Sequence, residues 1–410
     1  MFRPKKIHIF DPDLISTTGH NLKMDISLAQ ECLERKIPVT IYGRIGAGLN
    51  FEGLDLHEIF RYSIFTEVTD PNLNFIVFGN FFLVNRVFFH ELSAVKYDRF
   101  SSDDLVYFPN LTQNQIEGVA DWIISLPEKY RPIIAITLRY MGWAMQYNIA
   151  RGYGPAIEFI YSSVLLKLRE RHSRTFYFSD TPVLAENFTR LSGSPVVSMP
   201  NPQLGRIITK QREESSESAL RLLFIGGWGD VHGSCFVPEI VMRIISSFSH
   251  VSFTVQVNAS ESEQNDLKVM KGLARQIGPR LTVLEGSLSV AAFEQAMDEA
   301  DIVLLPYDPA NYWFASSGVF TEAAGRGKVL AVTAGTTLAS SAQAYNLGAV
   351  IIEGFSGEAC VQAVSAAIMD FKTLEEKAKL SQLRYATENS AKGFLDTMFD
   401  YIGADLTCNP

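Results

Sequence analysis

Cysteine is scarce and scattered in this chain. Cys32, Cys235, Cys360 and Cys408 are the four among 410 residues, and none has the paired spacing that a zinc site or a disulfide framework requires. No metal site is expected. Long apolar runs are lacking too: no stretch reaches the roughly 18 apolar residues that cross a bilayer. The opening MFRPKKIHIFDPD meets acids before the apolar core of a signal peptide can form. The expectation is a cytoplasmic protein that could sit at the inner face of a membrane. Positive charge is not in excess either, with 36 Lys plus Arg against 45 Asp plus Glu. Residues 1–200 hold 20 against 21, and residues 201–410 hold 16 against 24. An acidic second half argues against nucleic acid as a partner, because that binding depends on neutralising phosphates. Internal repeats and low-complexity tracts are absent as well, which excludes solenoids and disordered tails.

What is present is length and alternation. A chain of 410 residues, 47% hydrophobic, is long for one domain and comfortable for two. Short apolar runs read as buried strands at Lys6–Phe10, Pro38–Tyr42, Phe75–Phe78, Leu105–Tyr107, Ile133–Leu138, Thr175–Phe178 and Val196–Met199. Helical periodicity lies between them, at Met24–Arg35, Gln113–Leu126 and Pro155–Arg169. Pro200-Asn201-Pro202 then forces an extended turn, and Gln211–Ser218 is a polar connector. A second series follows, with strands expected at Leu222–Ile225, Ser252–Val257, Leu281–Leu284, Ile302–Leu305, Val329–Thr333 and Ala349–Ile352. Alternation of this kind implies parallel strands with helical crossovers. The expected architecture is α/β: two doubly wound, Rossmann-like domains over residues 1–205 and 206–385, facing across a cleft. A last helix is expected within residues 386–410.

Ligand-binding residues are expected where such strands end. After Ile302–Leu305 comes a polar loop and then Ser316, Ser317 and Gly318, a cap and an unobstructed backbone at a helix start. Free N–H groups and the helix dipole favour an anion such as phosphate there. Glu322, four residues after Gly318, shares that face and leans back toward the helix start, where it could accept from sugar hydroxyls. The plainer reading makes Ser316 an ordinary cap and Glu322 an exposed acid.

Pro306, Glu322, Ala323, Gly327 and Lys328 give this stretch a pattern that resembles the C-terminal signature of GT-B glycosyltransferases, particularly the retaining family 4. The resemblance implies that Glu322 holds the ribose of a nucleotide sugar, and that the last helix, in residues 386–410, returns to the first domain. It places a second Glu at position 314, where this chain has Phe314. The family's Val-Gly-Arg and Lys-Gly loop aligns with Phe224-Ile225-Gly226 and Gly233, so Gly227 replaces the diphosphate-binding Arg and His232 the Lys. Gly226, Gly227, Gly229 and Gly233 allow close backbone approach to a ligand, or simply a tight strand-to-helix turn. The same run matches a dinucleotide-binding turn. The acid that an adenosine ribose needs after the next strand is replaced by Asn258, which ranks an NAD enzyme lower.

Other residues join the candidate site. In Leu284–Ser289 the resemblance puts Ser287 and Leu288 beside the nucleotide base, and Thr336 lies beyond the end of Val329–Thr333, where backbone amides and hydroxyls could meet the sugar or phosphate. Tyr307, Tyr312 and Trp313 could shape a sugar pocket. In the first domain, Thr17, Thr18, Gly19 and His20 follow the first strand. The resemblance brings Gly19 and His20 to the donor phosphate or the acceptor, with a loop or capping role as the alternative. Arg139 ends another strand and offers a bidentate fork to phosphate, with Tyr140 and Trp143 as flat faces for sugars or as core seals. Lys167–Arg174, KLRERHSR, could meet anionic lipid headgroups or an acceptor's phosphates, with a solvated helix end as the plainer reading.

The expected function is therefore a hexosyltransferase-type glycosyltransferase moving a sugar from a nucleotide diphosphate sugar, the co-substrate, to a carbohydrate or lipid-linked acceptor. By resemblance, configuration is retained, no cofactor or dedicated metal is needed, and surface polysaccharide synthesis is the setting. His20, Arg139 and His232 are the expected catalytic residues. The loss of the usual cationic clamp keeps a second reading open, a catalytically inactive GT-B-like partner or regulatory protein.

Overall fold

The computed structural model describes residues 2–14, 20–48, 51, 53–63, 76–139, 154–202, 219–258 and 264–408. The chain forms two compact units. The first comprises Met1–Pro202 and Ala391–Pro410, and the second Gln203–Ser390.

The first unit is built on seven strands: β1 (Ile7–Phe10), β2 (Val39–Arg44), β3 (Asp55–Phe60), β4 (Leu105–Leu111), β5 (Ile133–Leu138), β6 (Thr175–Ser179) and β7 (Val196–Ser198). All pair in parallel, in the order β3-β2-β1-β4-β5-β6-β7. The helices are α1 (His20–Glu34), α2 (Ile76–Ser93), α3 (Gln113–Ser125), α4 (Gly154–Arg171) and α5 (Pro182–Ser192). β4 and β5 are buried along their whole length, as strands covered by helices on both faces must be. Local signals set the helix ends. Thr112 and Gln115 close a capping box at the start of α3, while Thr181, Pro182 and a left-handed Gly193 bracket α5. The last helix of the chain, α14 (Ala391–Cys408), belongs to this unit. Phe394, Met398, Phe399 and Ile402 on α14 complete a core shared with Leu28 and Cys32 of α1 and with Ile7, Ile9 and Ile41 of the sheet.

The second unit carries β8 (Leu220–Phe224), β9 (Val251–Val257), β10 (Leu281–Glu285), β11 (Ile302–Leu305), β12 (Val329–Thr333) and β13 (Ala349–Ile352). They form a parallel sheet in the order β10-β9-β8-β11-β12-β13. Its helices are α6 (Val237–Ser247), α7 (Gln264–Ile277), α8 (Val290–Glu299), α9 (Pro309–Tyr312), α10 (Gly318–Gly325), α11 (Thr337–Ala344), α12 (Gly357–Met369) and α13 (Phe371–Glu388). Alternate residues of the central strands serve opposite faces. Leu222 and Phe224 pack with α6 and α12, while Leu223 and Ile225 pack with α10 and α11. The strand order reverses between β8 and β11, so the crevice beyond their carboxyl ends is where an open α/β sheet binds ligands.

Two expectations of secondary structure are corrected. Ile76–Phe78 is the first turn of α2 rather than a strand, while Phe75 lies outside the described residues. A short apolar run has no period to separate strand from helix, and here it opens a helix of 18 residues. β3 is a strand that the sequence does not announce. It is an edge strand whose partly exposed DLHEIF lacks the apolar density of its neighbours.

Candidate functional site

At the carboxyl end of β8 the chain makes a glycine-rich loop that closes on itself. Gly226 has a φ of 111°, and its amide donates to Gln256 Oε1 at 3.0 Å. The amide nitrogen of Gln256's own side chain donates to the Gly286 carbonyl at 2.7 Å. One side chain from β9 thus ties the loop after β8 to the loop after β10. Gly229, at a φ of 123°, donates its amide to Ser234 Oγ at 3.1 Å. Two short 3-10 turns, Asp230–His232 and Ser234–Phe236, then lead into α6.

The loop is pressed against its neighbours. A Cβ at Gly233 would stand 2.1 Å from the Pro306 carbonyl oxygen, and one at Gly226 2.9 Å from Val319 Cγ2. The Asp308 amide donates to the Val231 carbonyl at 3.0 Å. The loops after β8 and β11 are therefore joined backbone to backbone. His232 folds over Gly227, whose Cβ would lie 2.5 Å from the imidazole Cε1. The His232 ring centroid is 5.1 Å from that of Tyr307 and 5.9 Å from that of Tyr312, and the two tyrosines are 4.4 Å apart. Tyr307 is buried with its hydroxyl on Ser317, and burial pushes its pKa up to about 12, so it remains a neutral hydrogen-bonding group.

The helix start expected at Ser316–Gly318 is present, and Ser317 rather than Ser316 is its cap. Ser317 Oγ accepts from the Phe320 amide at 3.2 Å, and α10 begins at Gly318. The Gly318 and Val319 amides open the helix with no acceptor among the described residues. Thr336 is spent in a similar way: it caps α11 through the Ala339 amide at 3.2 Å and donates to the Thr333 carbonyl at 2.6 Å. Thr337 donates to the carbonyls of Ala315 and Tyr312, fixing the loop that carries Tyr312, Trp313 and Phe314. Phe314 is buried and edge-on to the more exposed Trp313.

Glu322 is buried too, with its Oε2 paired to the Arg326 guanidinium one turn on. Arg326 also bonds Asp298 at 2.9 Å. The i,i+4 spacing of Glu322 and Arg326 is the signal by which sequence reasoning could have found this partner, which it missed. Lys328 turns away from the crevice, bonding the Asp298 and Ala300 carbonyls at 2.7 and 2.8 Å. Ser287 is exposed with its hydroxyl 3.4 Å from Asn258 Oδ1, and half-buried Leu288 packs on the core beneath α8. The structure thus joins the loops after β8, β10, β11 and β12 into one network around Gly227, His232, Tyr307, Ser317 and Gly318. Among these residues His232 carries the one titratable nitrogen base. The amides of Gly226, Gly229 and Gly233 already have protein acceptors.

In the first unit, Gly19 lies outside the described residues, as do Thr17, Thr18, Tyr140 and Trp143. His20 is the first residue of α1, and nothing of its side chain is described. Arg139 follows β5, with its Nη2 3.0 Å from Met24 Sδ, and it feels the carboxyls of Asp11 and Asp25. Sequence reasoning missed those two acids, together with Asn110. The one available signal was Asp11-Pro12-Asp13 directly after β1, where strand order also reverses.

Two parallel α/β sheets of seven and six strands, each with its switch point beside the first strand of its unit, define the GT-B architecture of glycosyltransferases. Solved structures bear this out. WaaG, a glycosyltransferase involved in lipopolysaccharide biosynthesis, matches with a TM-score of 0.60 and 13% identity, over 97% of this chain and 99% of its own. HepE of Anabaena, solved in complex with UDP and glucose, matches at 0.60 and 12% identity over 99% and 100%. The trehalose-6-phosphate synthase OtsA matches at 0.66 and 8% identity over 97% and 99%. No family model and no curated protein matches the sequence. At such identities the likeness is one of fold.

Proposed function

We propose that this protein is a glycosyltransferase that takes a nucleotide diphosphate sugar in its second unit and transfers the sugar to a carbohydrate or lipid-linked acceptor. The observation that carries the reading is the crevice between β8 and β11. There a glycine loop with no room for side chains meets a helix start with two amides left to bind an anion and an imidazole set beside a pair of tyrosines. Breaking a glycosidic bond to a diphosphate leaves negative charge on the departing oxygen and positive charge on the sugar, and preorganised donors aimed at the oxygen lower the barrier. The Gly318 and Val319 amides and His232 supply those donors, with the Gly227 amide beside them. Tyr307, Tyr312 and Trp313 shape the sugar side, Ser287 and Leu288 border the base, and Glu322 accepts from the ribose while sharing Arg326. His20 and Arg139 are assigned to the first unit's part in the reaction.

Retention of configuration, the absence of a dedicated metal and a place in surface polysaccharide synthesis belong to the same proposal. They rest on the family resemblance of the Pro306–Lys328 stretch and on WaaG as a fold neighbour. Cytoplasmic residence at the inner membrane face is likewise proposed; among the described residues no helix is long and apolar enough to cross a membrane.

The test is a thermal-shift screen of UDP and GDP sugars, because a ligand that binds only the folded protein raises its apparent stability. We expect a nucleotide sugar to raise the midpoint, and His232→Ala and Glu322→Gln to reduce that rise. If no nucleotide sugar shifts the midpoint, the donor reading fails and the inactive-partner reading replaces it. A normal shift in Glu322→Gln removes Glu322 from the site while leaving the rest standing.

A further inference from the structure

At the switch point of the first unit, three acidic side chains and an amide are packed below the surface. Asp11 follows β1, Asp25 lies on α1, and both are wholly buried; Asp13 and Asn110, at the end of β4, are nearly so. Asp11 Oδ1 accepts from the Asp13 amide at 2.8 Å, and Asn110 Nδ2 donates to Asp13 Oδ2 at 3.3 Å. These bonds leave Asp11 Oδ2, both Asp25 oxygens and Asn110 Oδ1 without a donor among the described residues. Buried acceptors in such numbers are rare, because each forfeits its hydration without return.

The Asp11 and Asp25 carboxyls lie within hydrogen-bonding reach of each other, and two ionised carboxylates cannot make that bond. One proton between them turns an acceptor into a donor and leaves a single negative charge. Across the pair stands Arg139 at the end of β5, and its guanidinium balances that charge. With one proton the group of three is neutral; without it, two like charges press α1 away from β1.

We propose that Asp11 and Asp25 are positioning residues that share one proton, and that this proton pins α1 to the end of β1 and seats the Arg139 guanidinium at the end of β5. The helix so pinned begins at His20, so the residues that the first unit contributes to the proposed reaction are held by a bond that depends on pH. The proposal rests on the geometry of the first unit alone, and a failure of nucleotide-sugar binding leaves it untouched.

The physical chemistry agrees. Burial raises the Asp11 carboxyl from 3.8 to about 6, Asp13's charge adds to this, and Arg139 opposes it. Burial raises Asp25 well above its usual range, with the Asp11 charge acting in the same direction. Among the described residues, the other ionisable groups facing the pair are Asp13 after β1, Arg139 after β5 and Tyr107 on β4, whose buried hydroxyl stays protonated. A raised carboxyl means that the folded state binds a proton the unfolded chain releases. Its contribution to stability is therefore present in acid and lost as pH rises from 3.8 through about 6.

The test is urea unfolding across that range for the full chain, Asp11→Asn, Asp25→Asn and Arg139→Gln. Relative to Asp11→Asn, the wild-type folding constant should fall by up to roughly tenfold per pH unit, the mark of one extra bound proton. Arg139→Gln removes the opposing cation and should move the loss to higher pH. Packing alone would shift all profiles in parallel, and parallel profiles for wild type and Asp11→Asn overturn the shared proton. An unmoved window in Arg139→Gln overturns the seating of the guanidinium. Should either Asn variant fail to fold, carbon NMR of aspartate-labelled wild type reads the same point. A carboxyl that stays protonated above pH 5 supports the pair, and ordinary titration of every aspartate refutes it.

Discussion

Replacing Gly233 with Ala tests the backbone contact on which the second-unit site depends. Gly233 has a φ of 70°, and the added Cβ would stand 2.1 Å from the Pro306 carbonyl oxygen. Left-handed backbone costs a residue with a Cβ about 1–2 kcal/mol, and overpacking a close-packed region costs about 1–3 kcal/mol more. The obstacle is a main-chain oxygen at the end of a buried strand, so it cannot swing aside as a long side chain would. A loss of roughly 2–5 kcal/mol corresponds to a midpoint lowered by roughly 4–20 °C in a unit of this size. Gly272 is the control. It lies inside α7, where an added Cβ would meet nothing within 4 Å, and Gly→Ala in a helix interior gains about 0.5–1 kcal/mol. Thermal unfolding of both variants, with and without UDP, reads the two effects. Gly233→Ala should unfold earlier and lose the UDP-induced rise, and Gly272→Ala should unfold slightly later and keep it. A Gly233→Ala protein with wild-type midpoint and wild-type response to UDP would refute the argument that this approach builds the site.

Two further outcomes follow from caps and buried charge. Ser317→Ala removes both the cap of α10 and the partner of the Tyr307 hydroxyl, and should cost about 1–2 kcal/mol in urea unfolding, and an unchanged midpoint would contradict the cap. His8 is buried in the first unit beside Asp104, and burial lowers its pKa from 6.5 although Asp104 opposes this. The folded state then resists a proton that the unfolded chain accepts, so stability contributed by neutral His8 is lost as pH falls through 6.5. His8→Gln measured in the Asp11→Asn background should lose less stability between pH 7.5 and 5.5 than that background does, and equal slopes would contradict it.

The strands of both sheets were legible because buried parallel strands concentrate Val, Ile and Leu in short blocks, as at Ile133–Leu138 and Val329–Thr333. Edge strand β3 and the start of α2 were not, because one dilutes that signal and the other imitates it with a short apolar run that opens a helix. Much of the candidate site was visible as residue types at strand ends: the glycines, Ser317, Tyr307 and His232. Most of their obligations were not visible. The tie of Glu322 to Arg326 was signalled by their i,i+4 spacing and overlooked, whereas that Thr336 would cap α11 and that Gln256 would link two loops depends on side-chain directions that no spacing fixes. Asp11 and Asp25 are 14 residues apart in sequence and meet only because α1 folds back along β1.

The first unit is interrupted in sequence: its core includes α14, which follows all of the second unit. During synthesis the contiguous second unit can finish folding while the first still lacks Phe394, Met398, Phe399 and Ile402. Four such side chains contribute roughly 1.5–3 kcal/mol each when fully buried, comparable with the whole stability of a typical domain. Until the ribosome releases α14, Leu28, Cys32 and the neighbouring strand residues face solvent as an open apolar seam. Maturation of the first unit therefore waits on α14, and a chain cut short after Ser390 would be a ready client for chaperones and proteases.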